Sequence, residues 1–258
     1  MQKLLFLLFC SVCSLAAESS IVTPGRLIEY FQANGVIDQT ARVPETVIFC
    51  YGPSFDHCLH HLGPFEEKTP LKRLYVFKDK SVGVTGGFGI GSPALAMQME
   101  KLLALGVRRC ILVGNAGALS KELSIGEHVV CARALKADDA LSCLYVPGKR
   151  GFVDADQELL ERWEKISGAP RVSTWTFSSL FFETPRRIRK ARRLGCSVVE
   201  MEVATFYALA RAKQVRALAL FIVSDHVTEK GWTPGFREKA LLDSYAPLCE
   251  RIALFCEQ

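Results

Sequence analysis

The chain lacks the spacings that announce most nucleotide and metal chemistries. Its 258 residues contain neither a glycine-rich loop with a Walker lysine nor a GxGxxG dinucleotide fingerprint, so nucleoside triphosphates and dinucleotides are weak candidates. Ten cysteines are present, yet none falls at the paired intervals of a zinc site, and no metal is expected. No low-complexity tract, internal repeat or long linker interrupts the chain, which argues for one packed unit. An excess of one charge is missing too: 32 lysines and arginines meet 27 acids, for a formal net charge of +5. The basic cluster PRRIRKARR, Pro185 to Arg193, is read as the solvated face of a helix, and nucleic acid is not an expected partner.

One apolar run stands out, at the N-terminus. MQKLLFLLFCSVCSLAAESS carries one lysine, an apolar stretch of secretory length, and small residues at Ala16 and Ala17 where a signal peptidase can cut. Residues 1–17 are therefore expected to be an export signal, with residues 21–258 as a single domain. The location is periplasmic or extracellular if the leader acts, and cytoplasmic otherwise. The run falls short of the ~20 apolar residues of a bilayer span, so no stable membrane insertion is expected. Cysteine usage points the other way. Cys50, Cys110 and Cys131 lie in apolar strand-like runs, where a free thiol behaves as a small hydrophobe. Few or no disulfides are expected, an unusual condition for an exported protein.

With 49% hydrophobic and 23% charged residues, the chain can bury a full core. Short β-branched runs alternate with helical patterns, the mark of an α/β layer system. Strands are expected at Thr46–Tyr51, Leu74–Phe77, Val82–Thr85, Arg109–Val113, His128–Ala132, Val172–Thr176 and Ala217–Val223. Several are apolar throughout, as when helices cover both faces of a sheet. Helices are expected at Ser92–Leu105, Asp156–Ser167, Pro185–Leu194, Glu202–Lys213 and from about Phe236 to Cys256. In the first of these, Ser92 is a candidate cap, Leu95, Met99 and Leu102 form an inward stripe, and Gly106 can end the helix in a left-handed conformation.

Three constellations can carry chemistry. VGVTGGFGIGSPALA runs from a strand through Gly86, Gly87, Gly89 and Gly91 into a helix, and free N–H groups of such a loop favour an anion or a sugar hydroxyl. RRCILVGNAGAL leaves a second strand through Gly114, Asn115, Ala116 and Gly117, small residues that let backbone approach a ligand at a sheet's carboxyl edge. VVEMEVATFYALA sets Glu200 and Glu202 around Met201 at the mouth of an amphipathic helix. A carboxylate there can accept both hydroxyls of a ribose, or simply favour the positive helix end. Asp225 follows the apolar strand ALALFIVS toward the edge of the sheet, a position for a general acid or a helix cap. His226 is given no role.

These motifs, GGFGIGSPALA, RRCILVGNAGALSKELSIGEHVV, VEMEVATFYALA and VSDH, occur in the order seen in the nucleoside phosphorylase and nucleosidase superfamily. The resemblance covers roughly Thr46 to the C-terminus and implies a three-layer phosphorylase-type fold with a mixed central sheet flanked by helices. It implies that Glu202 holds the ribose hydroxyls, that Met201 packs on the sugar and Glu200 opens the motif. It further implies that Asp225 protonates the leaving base, and that Phe177 stacks on it with Phe182 lining the same pocket. Gly89 and Gly114 join the nucleoside site; Gly52 and Asn115 would face inorganic phosphate, the implied co-substrate, with no organic cofactor. A homo-oligomer is likewise implied.

The chain departs from the phosphorylase pattern where phosphate should be clamped: Leu112 and His57 stand at positions expected to be arginine. Arg108, Arg133, Arg186 or a neighbouring subunit could replace them. LVGNAGAL resembles the hydrolases of the superfamily, which lack that arginine, but their water-activating glutamate has no match. VSDH resembles the purine branch, whereas DDALSCLYVP from Asp138 resembles the uridine branch, in which Arg186 or Arg187 would read a pyrimidine. Phosphorolysis of a purine nucleoside or uridine is the favoured expectation, with hydrolysis as the alternative and a non-catalytic nucleoside-binding or storage protein as the rival from another class.

Overall fold

The computed structural model describes residues 20–38, 43–67, 74–77, 81–148 and 151–257; the expected export signal lies outside them. In chain order the elements are α1 (Pro24–Ala33), β1 (Thr46–Cys50), α2 (Ser54–Leu62), β2 (Phe65–Glu67), β3 (Leu74–Phe77), β4 (Val82–Gly86), α3 (Ser92–Ala104), β5 (Arg109–Ala118) and β6 (His128–Asp138). Then follow α4 (Ser142–Tyr145), β7 (Phe152–Asp154), α5 (Gln157–Ser167), β8 (Arg171–Phe177), a 3₁₀ turn at Leu180–Phe182, α6 (Pro185–Arg193) and β9 (Val198–Glu200). The chain continues through α7 (Val203–Lys213), β10 (Arg216–Thr228), β11 (Gly231–Pro234), α8 (Lys239–Leu242) and α9 (Tyr245–Cys256). Among the described residues no helix is long and apolar enough to cross a membrane.

All strands join one mixed sheet in the order β11-β10-β6-β8-β9-β5-β1-β4-β3-β2, with β7 on β6. Strand β10 also pairs with β5, in parallel. The strands β5, β10, β6, β8 and β9 therefore close into a ring, and β1, β4, β3 and β2 run out from it as an open sheet. Closure removes edges from the ring that would otherwise need cover.

Side-chain alternation sorts the core into layers. In β10, Ala217, Ala219, Phe221 and Val223 pack with α3 and α7, whereas Leu218, Leu220 and Ile222 pack with α2, α5 and α9. Strand β1 divides likewise, Val47 and Phe49 to one side and Ile48 and Cys50 to the other. Successive side chains of a strand point to opposite faces, so a strand covered twice must be apolar throughout. A third cluster, with Trp175, Phe177, Ile188 and Val199, lies under α6.

Several expected boundaries shift. Strands β5, β6 and β10 outrun the apolar stretches that suggested them, because strand pairing continues through Gly114–Ala118 and Ser224–Thr228. The final helix is two helices, α8 and α9, separated at Asp243 and Ser244. Ser92 does not cap α3: Gly91 occupies that position at φ 92°, and the Ser92 hydroxyl donates instead to the Met201 carbonyl at 3.1 Å. Leu95, Met99 and Leu102 are fully buried as the stripe required, and Gly106 has φ 116°. Helix α7 is not amphipathic. Val203 to Ala210 are all buried, since α4 and α3 cover the side that would otherwise meet solvent.

Candidate functional site

The carboxyl ends of β1 and β9 meet the middle of β5 and β10 at a cavity of about 180 Å³, lined by Tyr51, Gly52, Ile90, Gly114, Asn115, Glu200, Met201, Glu202 and Phe221. Small-molecule sites commonly measure roughly 300–1,000 Å³, so this volume suits a sugar and a small anion rather than a whole nucleoside. Six of the nine liners, Gly52, Gly114, Asn115, Glu200, Met201 and Glu202, are residues that the sequence motifs singled out. Tyr51, Ile90 and Phe221 were missed, although Tyr51 and Ile90 immediately flank candidate glycines.

Glu200 and Glu202 are both buried but are held differently. Glu200 ends β9, and its Oε2 accepts from the backbone N–H groups of Glu202 (2.6 Å) and Val203 (2.8 Å). Its Oε1 accepts from the hydroxyls of Thr176 (2.5 Å) and Thr174 (3.2 Å). Glu200 thus caps α7 from outside the helix, satisfying donors that have no partner within it. Glu202 occupies the capping position itself, but its side chain turns away and accepts from Gly91 N–H at 2.6 Å. The glycine loop before α3 is thereby tied to the α7 turn. Its Gly91 N–H, expected to be free for a ligand, is used on Glu202.

Burial pushes the Glu202 carboxyl up, and the charge of Glu200 beside it pushes further. Burial acts on Glu200 as well, but the Thr176, Glu202, Val203 and Thr174 donors oppose it. Both carboxyls therefore stand above the ordinary range, and with four donors aimed at its two oxygens Glu200 is raised less than Glu202. Tyr51 adds a hydroxyl that is buried without a hydrogen-bond partner; burial and the two glutamates keep its proton on. Asp139, from the DDALSCLYVP stretch, accepts from the Thr205 hydroxyl at 2.6 Å and is buried close enough to raise Glu202 slightly.

Asp225 owes its position to a β-bulge. Val223 pairs with Ala116 and Asp225 with Gly117, leaving Ser224 as an extra residue, which resets the side-chain alternation and re-aims the acid. The Ser224 hydroxyl donates to Asp225 Oδ1 at 2.6 Å, and the Trp232 indole N–H, from β11, donates to Oδ2 at 2.7 Å. Gly117 pairs with Asp225 on one side and with Val199 of β9 on the other. A Cβ on Gly117 would meet Val227 Cγ2 at 2.8 Å and Asp225 Oδ2 at 3.3 Å, so only glycine fits there. Asp225 does not line the cavity. It stands beside it, two strands from the β9 end that carries Glu200 into Glu202. Glu183 lies near it, its carboxyl pushed up to about 7 by burial and then by the charge of Asp225.

Other expected residues lie elsewhere. Phe177 is buried in the cluster under α6, stacked on Trp175 at 4.7 Å with the Arg187 guanidinium 4.8 Å from its ring. It is a core aromatic, because the apolar face of α6 needs a partner. Phe182, 63% exposed on the 3₁₀ turn, does not reach the cavity, and Gly89 (φ 111°) is adjacent to it only through Ile90. Among the described residues no lysine or arginine lines the cavity. Leu112 is wholly buried in the α3/α7 layer, and His57 stacks on Tyr245 at 5.6 Å. Arg133 bonds Ser173 and covers Phe152, Arg187 pairs with Asp138, and Arg186 is exposed on α6. Asn115 lines the cavity, its amide fixed by the Tyr245 hydroxyl at 2.8 Å. Among the described residues no cluster of histidine, cysteine, aspartate and glutamate is arranged to hold a metal.

The chain is 32% identical over 169 residues to a DeoD-type purine nucleoside phosphorylase of Myxococcus xanthus, covering 63% of this chain and 70% of the relative. A second DeoD-type enzyme, from Vibrio cholerae, is 31% identical over 157 residues, 58% of this chain and 66% of that one. The chain thus spans about two thirds of the length of these relatives. Similar folds are found in purine nucleoside phosphorylase of Toxoplasma gondii in complex with immucillin-H (TM-score 0.72, 16% identity, 83% of this chain and 90% of that one). They recur in 5'-methylthioadenosine/S-adenosyl homocysteine nucleosidase of Campylobacter jejuni (0.70, 17%, 83% and 99%) and uridine phosphorylase of Vibrio fischeri (0.70, 17%, 86% and 100%). A sequence model of one family matches residues 62–251, which include β5, the β9–α7 turn and the bulge at Asp225, and the chain belongs to that family, the phosphorylase superfamily.

Proposed function

We propose that the protein is an enzyme that cleaves the N-glycosidic bond of a purine nucleoside, with inorganic phosphate as acceptor, to give free base and pentose 1-phosphate. The observation that carries this reading is that two buried acids come from strands pairing with β5 at Gly117: Asp225 on β10 opposite it, and Glu202 just after β9, whose Val199 lies on its other side. Breaking the bond leaves positive charge on the pentose and negative charge on the base, so a site gains by gripping the one and protonating the other. Glu202 holds the ribose hydroxyls, with Met201 against the sugar, and Asp225 serves the base. The names of the curated relatives, purine nucleoside phosphorylases, support the purine and the phosphate.

Phosphate would meet Asn115 and the backbone at Gly52 and Gly114. The described lining of uncharged and acidic residues, with Leu112 and His57 in place of arginines, favours a second reading, in which water is the acceptor, since charge-assisted contacts to phosphate are each worth roughly 1.5–3 kcal/mol. A second subunit that supplies the cation would restore the first, and self-association is part of the proposal, as is export through residues 1–17. Incubation with inosine, adenosine, uridine and methylthioadenosine, with and without phosphate, separates the readings. Purine release that depends on phosphate and yields pentose 1-phosphate is the expected result. Release of free pentose without phosphate would establish hydrolysis, and no release from any nucleoside would overturn both.

A further inference from the structure

Behind the cavity, a group of thiols lies outside the site. Cys58 on α2 and Cys249 on α9 are both fully buried, with their Sγ atoms 2.8 Å apart. Cys50, at the end of β1, is buried in the same apolar layer. A disulfide bond is ~2.05 Å long, so the Cys58 and Cys249 sulfurs need to close by less than ~1 Å to bond. All three thiols stand above the ordinary cysteine range, Cys50 chiefly through burial, Cys249 through its contact with Cys58 and then burial, and Cys58, against an opposing contact with Cys249, through its contact with Cys50 and burial, which disfavours the thiolate that would start exchange inside the folded protein.

The two helices that carry this pair also set the wall of the cavity. Helix α2 begins two residues after Gly52, a cavity liner. Helix α9 begins at Tyr245, whose hydroxyl fixes the Asn115 amide and whose ring stacks on His57 of α2 at an interplanar angle of 5°. The Cys249 thiol also approaches the Ser54 carbonyl, in the first turn of α2, at 3.7 Å. Anything that fixes α2 to α9 therefore fixes the Gly52 and Asn115 side of the site.

We propose that Cys58 and Cys249 form a disulfide when the chain folds in an oxidising medium, clamping α2 to α9 beneath the Gly52 and Asn115 wall of the cavity. The oxidant is a small-molecule disulfide of the glutathione type. The thiolate of one cysteine attacks a sulfur of the oxidant, forming a mixed disulfide and releasing one thiolate. The second cysteine, as thiolate, attacks the first, forming the Cys58–Cys249 bond and releasing the other thiolate. The two protons leave with the two reduced thiols, and two electrons pass from the protein to the oxidant. Since the pair is buried, exchange takes place before α2 and α9 have closed on each other, and the folded dithiol reacts slowly. The bond joins positions 191 residues apart, so it restricts the unfolded chain over a long loop.

The test is refolding of the full chain in a glutathione redox buffer, in parallel with refolding under dithiothreitol, followed by alkylation in denaturant and peptide mass mapping. The oxidised sample is expected to protect one pair of thiols and to yield a linked peptide containing Cys58 and Cys249, with Tm raised by on the order of 10 °C over the reduced sample. Chain folded under dithiothreitol and only then moved to the redox buffer should acquire the link many times more slowly. A Cys58→Ser chain should show neither the link nor the shift. Mapping the unsubstituted chain decides the matter even if that variant fails to fold: ten alkylated cysteines after oxidative refolding, or a link between Cys50 and Cys58 instead, overturns the proposal.

Discussion

Two acidic neighbourhoods flank the cavity, and they are built from different materials. At the β9–α7 turn, Glu200 and Glu202 are held mainly by backbone N–H groups of the turn itself and of the glycine loop before α3. At the β10 bulge, Asp225 is held by two side chains, Ser224 and Trp232, the latter from a strand whose four residues are all exposed. The first neighbourhood is rigid because moving an acid would uncap a buried helix. The second can adjust, because only an indole on an edge strand and a hydroxyl must follow. In the proposed reaction, sugar binding calls for the former, and delivery of a proton to a departing base tolerates the latter.

The sharpest way to break this contrast is at Asp225. Asp225→Asn keeps the shape and removes the acid, so kcat for purine nucleosides should fall by roughly 10²–10⁴-fold with KM little changed. Turnover equal to that of the unsubstituted enzyme would remove Asp225 from the mechanism. Glu200→Gln acts on the other side, through the scaffold: it replaces a carboxylate that receives four donors, and stability should drop by about 1–3 kcal/mol. In a chain of this size that amounts to a fall in Tm of about 3–10 °C. A variant with full Tm but no activity would show that Glu200 is chemical rather than structural.

The smallest effect concerns pH. Glu183 stands at about 7 against an ordinary 4.5, so between those values the folded chain keeps a proton that the unfolded chain has released. Stability contributed in this way is present at low pH and declines as pH rises through the window from about 4.5 to 7. Burial gives Glu202 and Asp139 shifts of the same sign. Tm recorded against pH should slope downward there, and less steeply in Glu183→Gln, whose amide does not titrate. Identical slopes for the two proteins would show that Glu183 is solvated rather than held beside Asp225.

Legibility in the sequence followed burial. Strands β1, β3, β4 and β8 and helices α3, α5 and α6 stood within a residue or so of their expected bounds, because elements packed on a sheet carry their periodicity in their own residues. Helices α1 and α2 and strands β2, β7, β9 and β11 did not stand out. The three residues of β9 are too few for a period, and the exposed β11 has no apolar face. The same divide runs through the site. Gly114, Asn115, Glu200 and Glu202 were legible because strand exits and helix starts are where ligands meet backbone, and Gly52 and Met201 through the family resemblance. Tyr51 was open to the same argument, one residue before Gly52. Trp232 carried no signal at all, since its partner Asp225 depends on an edge strand pairing with a bulge. Phe177 and Phe182 went the other way: aromatic type alone does not say whether a ring faces a pocket, the core or water.

By itself the sequence determined the α/β layering and the order of the motifs, both of which rest on local chemistry: apolar runs where strands are covered twice, glycines where the backbone must turn, acids at helix starts. Tertiary structure alone decided which acid caps α7 and which ties down the glycine loop, that the sheet closes into a ring through β5 and β10, and that Cys58 meets Cys249. Each of these depends on contacts between segments far apart in the chain, and such contacts are chosen by the packing of the whole fold rather than by any stretch within it.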